Sequence, residues 1–173
     1  MNYSSEGFTQ TTTVSKSEDL SKVLTEGATS LYLAEGTYTL PAAKGKTLTI
    51  SGTKETEIGI LSGTSQNLTG STITFNGVTI QGQTSGNYNG YPHASELIFE
   101  NCTITGKLTL YSKSTFKNCT FNNSSDYAIW TWGATSVDFE ECTFNSGGKA
   151  LLVYGEKINT TVNLTKCTFN DDP

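Results

Sequence analysis

One hexapeptide frame returns five times in the second half of the chain, over residues 75–80, 99–104, 116–121, 139–144 and 164–169. Each copy opens with Phe or Leu, passes through two mostly polar residues to Val or Cys, and ends in Thr followed by Ile or Phe. Phe116, Lys117, Asn118, Cys119, Thr120 and Phe121 show the pattern. The last apolar position follows the Val/Cys by two residues, which is the period of a β-strand. From Val78 through Cys102, Cys119 and Cys142 to Cys167 the spacings are 24, 17, 23 and 25 residues. Such variation suits coils joined by loops of unequal length.

Units of this size stack, because none can bury its own apolar side without a neighbour. A leucine-rich horseshoe needs a Leu/Asn signature and a helical turn per unit, whereas these units are rich in Thr, Ile, Phe and Gly and carry no 3.6-residue pattern. A β-sandwich accounts for many strands but not for one frame recurring in five places. The expected fold is therefore all-β, a parallel β-helix. The 173 residues, with 17 Gly and 3 Pro, fit one domain of short strands and turns. All 11 basic residues are Lys and the net charge is −5, so no nucleic-acid partner is expected. No run approaches the roughly 18 apolar residues that span a bilayer, so membrane insertion is not expected either. Met1 is followed by polar residues rather than by a leader, and an exported protein would have lost its signal peptide.

Within a frame the first apolar residue should close one strand, the polar pair turn the chain, and the Val/Cys and the final apolar residue enter the next strand facing inward. Neighbouring coils lie about 4.8 Å apart. Phe75, Phe99, Phe116, Phe139 and Leu164 are then expected to form one internal ladder, Val78 with the cysteines a second, and Ile80, Ile104, Phe121, Phe144 and Phe169 a third. Gly77, Asn101 and Asn118 share the turn position, where positive φ favours Gly and Asn. Glu141 and Lys166 replace them later and should set opposite charges side by side. The 4 Cys could pair, but a shared inward register makes Cys102, Cys119, Cys142 and Cys167 reduced packing groups, and Val78 fills the same place without a thiol. There is no CxxC knuckle and His93 is the only His, so neither a metal nor a cofactor is expected.

Ahead of the repeats, Ser15 and Glu18 read as a capping box, Leu20, Val23, Leu24 and Ala28 follow at helical spacing, and Gly27 marks the stop. A short α-helix there would cap the open end of the cylinder and shield its strand edges. Strand signals over 30–38 and 46–52 begin the coil. The chain divides into an N-terminal arm (1–14), a cap of helix and first strand (15–46) and the coils (47–173), expected to be truncated or uncapped at the C-terminus.

The cap helix, the Leu-Tyr-Leu-Ala-Glu-Gly-Thr-Tyr-Thr segment at 31–39, the Lys-Thr-Leu-Thr-Ile-Ser-Gly segment at 46–52 and the Asn-Cys-Thr-Phe frame at 118–121 together resemble the right-handed parallel β-helix superfamily with its pectate-lyase-like fold. More narrowly, they resemble repeat proteins exported by gut-dwelling bacteria. The resemblance spans residues 15–170. It implies a right-handed coil and a secreted or cell-surface location, but no single activity, since the fold carries lyases, hydrolases, phage tailspikes and adhesins. Lyases of the superfamily hold calcium on acidic residues and commonly use Arg as the base; this chain has no Arg and no Asp-rich constellation. Its hydrolases use paired carboxylates, whereas the densest acidic group here, Asp138, Glu140 and Glu141, reads as solvated surface. His93 lies in a polar, aromatic loop without an evident acid–base partner. No catalytic residue is assigned.

The positive signal is aromatic. Aligning the segment after each turn places Leu108 and Leu110, Ile129 and Thr131, and Leu151 and Val153 inward, which sets Tyr111, Trp132 and Tyr154 in one outward register with Trp130 close by. Aromatic faces offer apolar area to the CH faces of sugar rings; the plainer alternative is that these rings cover the outer sheet. Tyr88 and Tyr91, in the loop 87–93, join the candidate ligand-binding set because long insertions between coils are where scaffolds place recognition. The reading is a non-catalytic stalk and recognition surface in bacterial adhesion, with a glycan or a surface protein as partner. It would be monomeric or associate end to end or side by side through the last coil. The alternatives are a fragment of a polysaccharide lyase or glycoside hydrolase, and a tailspike-like host-recognition domain.

Overall fold

A computed structural model describes residues 10–86, 88–123, 126–145, 149–156 and 158–170, and in it the chain winds as a solenoid of parallel strands. From the N-terminus come β1 (Thr11–Val14), a 3-10 turn (Ser17–Asp19), α1 (Leu20–Thr25), β2 (Ser30–Leu33), β3 (Gly36–Tyr38), β4 (Thr47–Ser51) and β5 (Thr56–Gly59). Next are β6 (Thr72–Asn76), β7 (Thr79–Gln81), β8 (Glu96–Glu100), β9 (Thr103–Thr105), β10 (Leu108–Leu110), β11 (Lys113–Lys117) and β12 (Thr120–Asn122). They are followed by β13 (Ile129–Thr131), β14 (Ser136–Glu140), β15 (Thr143–Asn145), β16 (Leu151–Val153), β17 (Thr161–Thr165) and β18 (Thr168–Asn170). One sheet orders eight strands as β1-β2-β4-β6-β8-β11-β14-β17, a second orders seven as β3-β5-β7-β9-β12-β15-β18, and a third stacks β10-β13-β16. The seven-stranded sheet gives about seven turns, one strand each.

Each repeated frame crosses from the first sheet to the second, as its pattern requires. Register sets Phe75, Phe99, Phe116, Phe139 and Leu164 side by side. Their four rings stack at centroid distances of 5.0, 4.6 and 5.0 Å. On the second sheet Phe121, Phe144 and Phe169 stack at 4.5 and 4.8 Å. Between the two ladders Cys102, Cys119 and Cys142 are buried free thiols, each donating to the carbonyl of Phe75, Phe99 or Phe116 at 3.4 Å. Cys119 lies between the thiols of its two neighbours and away from water, which pushes its pKa up and keeps it protonated.

At the turn, φ is 74° at Gly77, 55° at Asn101, 50° at Asn118, 55° at Glu141 and 52° at Lys166. An L-residue other than Gly is disfavoured there by about 1–2 kcal/mol. Asn101 and Asn118 offset this with an amide ladder, Asn101 Nδ2 donating to Asn76 Oδ1 at 3.1 Å and Asn118 Nδ2 to Asn101 Oδ1 at 2.8 Å. Glu141 and Lys166 do not pair as expected: no ion pair joins them among the described residues, and both are exposed.

At the N-terminal end α1 buries Leu20 and Leu24, and Val23 and Ala28 pack partly against the core. Gly27, at φ 95°, ends the helix, and the Lys46 ammonium donates to the Leu24 carbonyl at 3.2 Å, where a cation suits the helix C-terminus. The expected capping box does not form. Lys16, not Ser15, stands at the N-cap of the 3-10 turn and makes no side-chain cap, while Ser17, the first residue of the turn, accepts the Thr39 N–H on its Oγ at 3.0 Å. At the other end Leu164 and Phe169 remain 47% and 52% exposed. No helix among the described residues is long and apolar enough to cross a membrane.

Candidate functional site

The third sheet carries the candidate site. Its register aligns Leu108 with Ile129 and Leu151, then Thr109 with Trp130 and Leu152, then Leu110 with Thr131 and Val153. Leu108, Leu110, Ile129 and Thr131 are buried, so by strand alternation the middle row points away from the core. Val153 shares the register of the buried Leu110 and Thr131 but is 47% exposed, because no described strand follows β16 in its sheet.

Two bridges, Leu61 to Gly90 and Gly90 to Thr109, continue this sheet toward the N-terminus and lay the end of an insertion, residues 88–90, against it. A Cβ at Gly90 would lie 2.2 Å from the Thr109 carbonyl oxygen, so only Gly allows that approach. The insertion brings Tyr88, held at φ 73°, onto the outer face, with ring centroids 5.0 Å from Trp130 and 5.1 Å from Trp132. Trp130 meets Trp132 edge to face at 5.3 Å, and Trp132 stacks on Tyr154 at 4.9 Å and 17°. The Tyr154 hydroxyl donates to Glu156, whose carboxylate pushes the phenol pKa up.

This arrangement differs from a simple strip at three positions. Tyr111 makes no ring contact with Trp132 among the described residues; its hydroxyl donates to the Tyr88 carbonyl, so it anchors the insertion. Trp130 is only 8% exposed, because Tyr88 lies against it. Tyr91, expected at the surface, is fully buried. The bridge at Gly90 puts the loop into the sheet, and the next residue turns inward, stacking on Phe75 at 5.2 Å and donating to the Gly59 carbonyl at 3.0 Å. The contact set is thus the exposed Tyr88 with the partly exposed Trp132 and Tyr154, and Trp130 lies beneath.

Beside Trp130 opens a cleft of about 220 Å³ lined by Lys107, Asp126, Tyr127, Trp130 and Leu152. Lys107 is 7% exposed; its ammonium pairs with Asp126 and lies 5.9 Å from the Trp130 ring centroid. Asp126 Oδ1 accepts the Tyr127 N–H at 2.8 Å. The Lys107 hydrogen bond, followed by that N–H, holds the Asp126 pKa below its ordinary value. Trp130 Nε1 is buried with no hydrogen-bond partner. Sequence reading missed Lys107 and Asp126. Their signal was a Lys directly before the apolar strand Leu108–Leu110 and an Asp just ahead of the equivalent strand one coil later, legible only once the coils are aligned.

The other polar candidates lie apart from this cleft. His93 Nε2 is 3.0 Å from the Gln66 side-chain amide. Asp138 accepts from Asn163 Nδ2 at 2.7 Å, and Glu140 pairs with Lys117 at 3.7 Å.

The solved structure of a candidate glycosyl hydrolase from Parabacteroides merdae is similar, with a TM-score of 0.57 at 16% identity over 96% of this chain and 93% of that one. At that identity the likeness is one of fold. No match is found among curated proteins. The family described as the right-handed beta helix region matches residues 33–173. With that match and the parallel solenoid of stacked coils, the chain belongs to the right-handed parallel β-helix family.

Proposed function

We propose that this chain is a non-catalytic module of a secreted or cell-surface bacterial protein, a rigid stalk whose third sheet recognises glycans in adhesion. The observation that carries the reading is the stacked, partly exposed pair Trp132 and Tyr154, with Tyr88 at its edge. Rings held on a sheet lose little side-chain entropy on binding, and their faces suit the CH surfaces of sugars. A Trp132→Ala/Tyr154→Ala variant with unchanged circular dichroism should lose binding on an array of plant, mucin and bacterial glycans. A parent domain that binds none of them removes the glycan reading and leaves stalk or protein contact.

A carbohydrate-active enzyme is the second reading, supported by the name of the Parabacteroides merdae protein. Glycoside hydrolysis uses two carboxyl groups flanking the scissile bond, and the described lining of the cleft supplies one, Asp126. Its ion pair with Lys107 favours the ionised form, the opposite of what a general acid needs. Release of reducing ends from any array-positive glycan would establish this reading over the first.

A further inference from the structure

Building on the glycan-binding reading, we infer that the cleft at Lys107, Asp126, Tyr127, Trp130 and Leu152 is a subsite for one pyranose residue, selected through its vicinal hydroxyls. The aromatic patch alone would not select a hydroxyl pattern, since stacking reads only the face of the ring. The cleft does select one. Its volume of about 220 Å³ lies below the roughly 300 Å³ at which drug-sized sites begin, which suits a single ring. Tyr127 and Trp130 provide apolar walls, and Asp126 provides the acceptor.

A carboxylate has about four acceptor positions. At Asp126 one is taken by the Lys107 ammonium and one by the Tyr127 N–H. The side chain is 42% exposed, so two positions remain for a pair of adjacent hydroxyl donors. The nearly buried Lys107 charge is matched by Asp126, and a second cation, the Lys149 ammonium, lies 5.8 Å from the centroid of the Tyr127 ring. Trp130, nine-tenths buried, adds an unsatisfied indole donor at the cleft wall. An oxygen seated at the indole edge would satisfy it, and an unpaired buried donor is otherwise costly.

The cleft and the Trp132/Tyr154 pair are joined through Trp130, whose ring centroid lies 5.3 Å from Trp132 and 6.1 Å from Tyr154. A glycan chain resting on the patch would thus continue into the cleft with one residue. The patch supplies area and the cleft supplies selectivity.

The test is saturation-transfer NMR on the intact domain with methyl hexopyranosides of glucose, galactose and mannose. At least one of these neutral probes should bind. Asp126→Asn should weaken that probe by about tenfold, the scale of a hydrogen bond to a charged group. Leu152→Trp, which fills the cleft and leaves the ion pair in place, guards against misfolding of the first variant and should abolish neutral binding. Neutral binding that survives both variants but disappears in Trp132→Ala/Tyr154→Ala overturns the subsite and leaves the patch standing. Absence of binding to any probe overturns the subsite, and a blank glycan array beside it overturns the patch as well.

Discussion

Single residues carry the least expected features of this molecule. Glu141 holds the left-handed turn position that Asn101 and Asn118 also occupy, but with neither an amide ladder nor an ion partner among the described residues. Glu141→Asn should therefore stabilise the domain by about 0.5–1 kcal/mol, through the better tolerance of positive φ and an amide placed to extend the ladder from Asn118; urea denaturation monitored by circular dichroism measures it. Asp126 sets a pH dependence. Its folded pKa lies below the ordinary 3.8, so the contribution of its ion pair is fully present above about pH 4 and is lost as pH falls through the lower folded value. Sugar binding in the cleft should accordingly be flat from about pH 5 to 8 and fail only below about pH 4, which titration of the NMR signal would follow. Tyr91 shows the limit of residue-level reading. Its neighbours Asn89, Gly90 and Pro92 mark a loop, and only the bridge from Gly90 into the third sheet turns its ring inward.

At the scale of elements, stability resides in ladders rather than in individual strands. Phe116 has a ring on either side at 4.6 and 5.0 Å, whereas Phe169 has Phe144 on one side and is half exposed. Phe116→Ala should cost about 3–5 kcal/mol, and Phe169→Ala no more than about 1–2 kcal/mol, since only part of its surface leaves water; chemical denaturation of the two variants compares them directly. The cysteine ladder predicts graded reactivity in the same way. Cys167 is partly exposed while Cys102, Cys119 and Cys142 are buried, so an aromatic disulfide reagent should modify Cys167 first in the native protein and the other three only on unfolding. Equal reactivity of all four would contradict the inward register. These ladders were legible because the frame is short and the strand period is 2, so one alignment assigns every inward position. The capping box read on Ser15 and Glu18 was not, since Lys16 takes the N-cap position and the adjoining Ser17 is held by Thr39, 22 residues away, a partner on which local pattern carries no information.

For the molecule as a whole, a stack in which each coil touches only its neighbours should lose structure from its less covered end. The N-terminal end is closed by α1, with Leu20 and Leu24 buried, while β17 and β18 include the half-exposed Leu164 and Phe169. Amide exchange should be slowest through β6 to β12 and fastest in β17 and β18; uniform protection would show that the stack opens as one unit. The sequence by itself determined the parallel coil, its inward ladders and the left-handed turn positions, because a repeated strand pattern has one way to bury its apolar face. Only the tertiary structure decided the site. The segment 88–90 settles onto the third sheet through backbone bridges at Gly90, places Tyr88 over Trp130 and draws in Tyr111. Coil stacking also brings Lys107 to Asp126, 19 residues away, across a cleft. Those contacts depend on loop lengths and on close backbone approach, neither of which has a period that a sequence pattern can express.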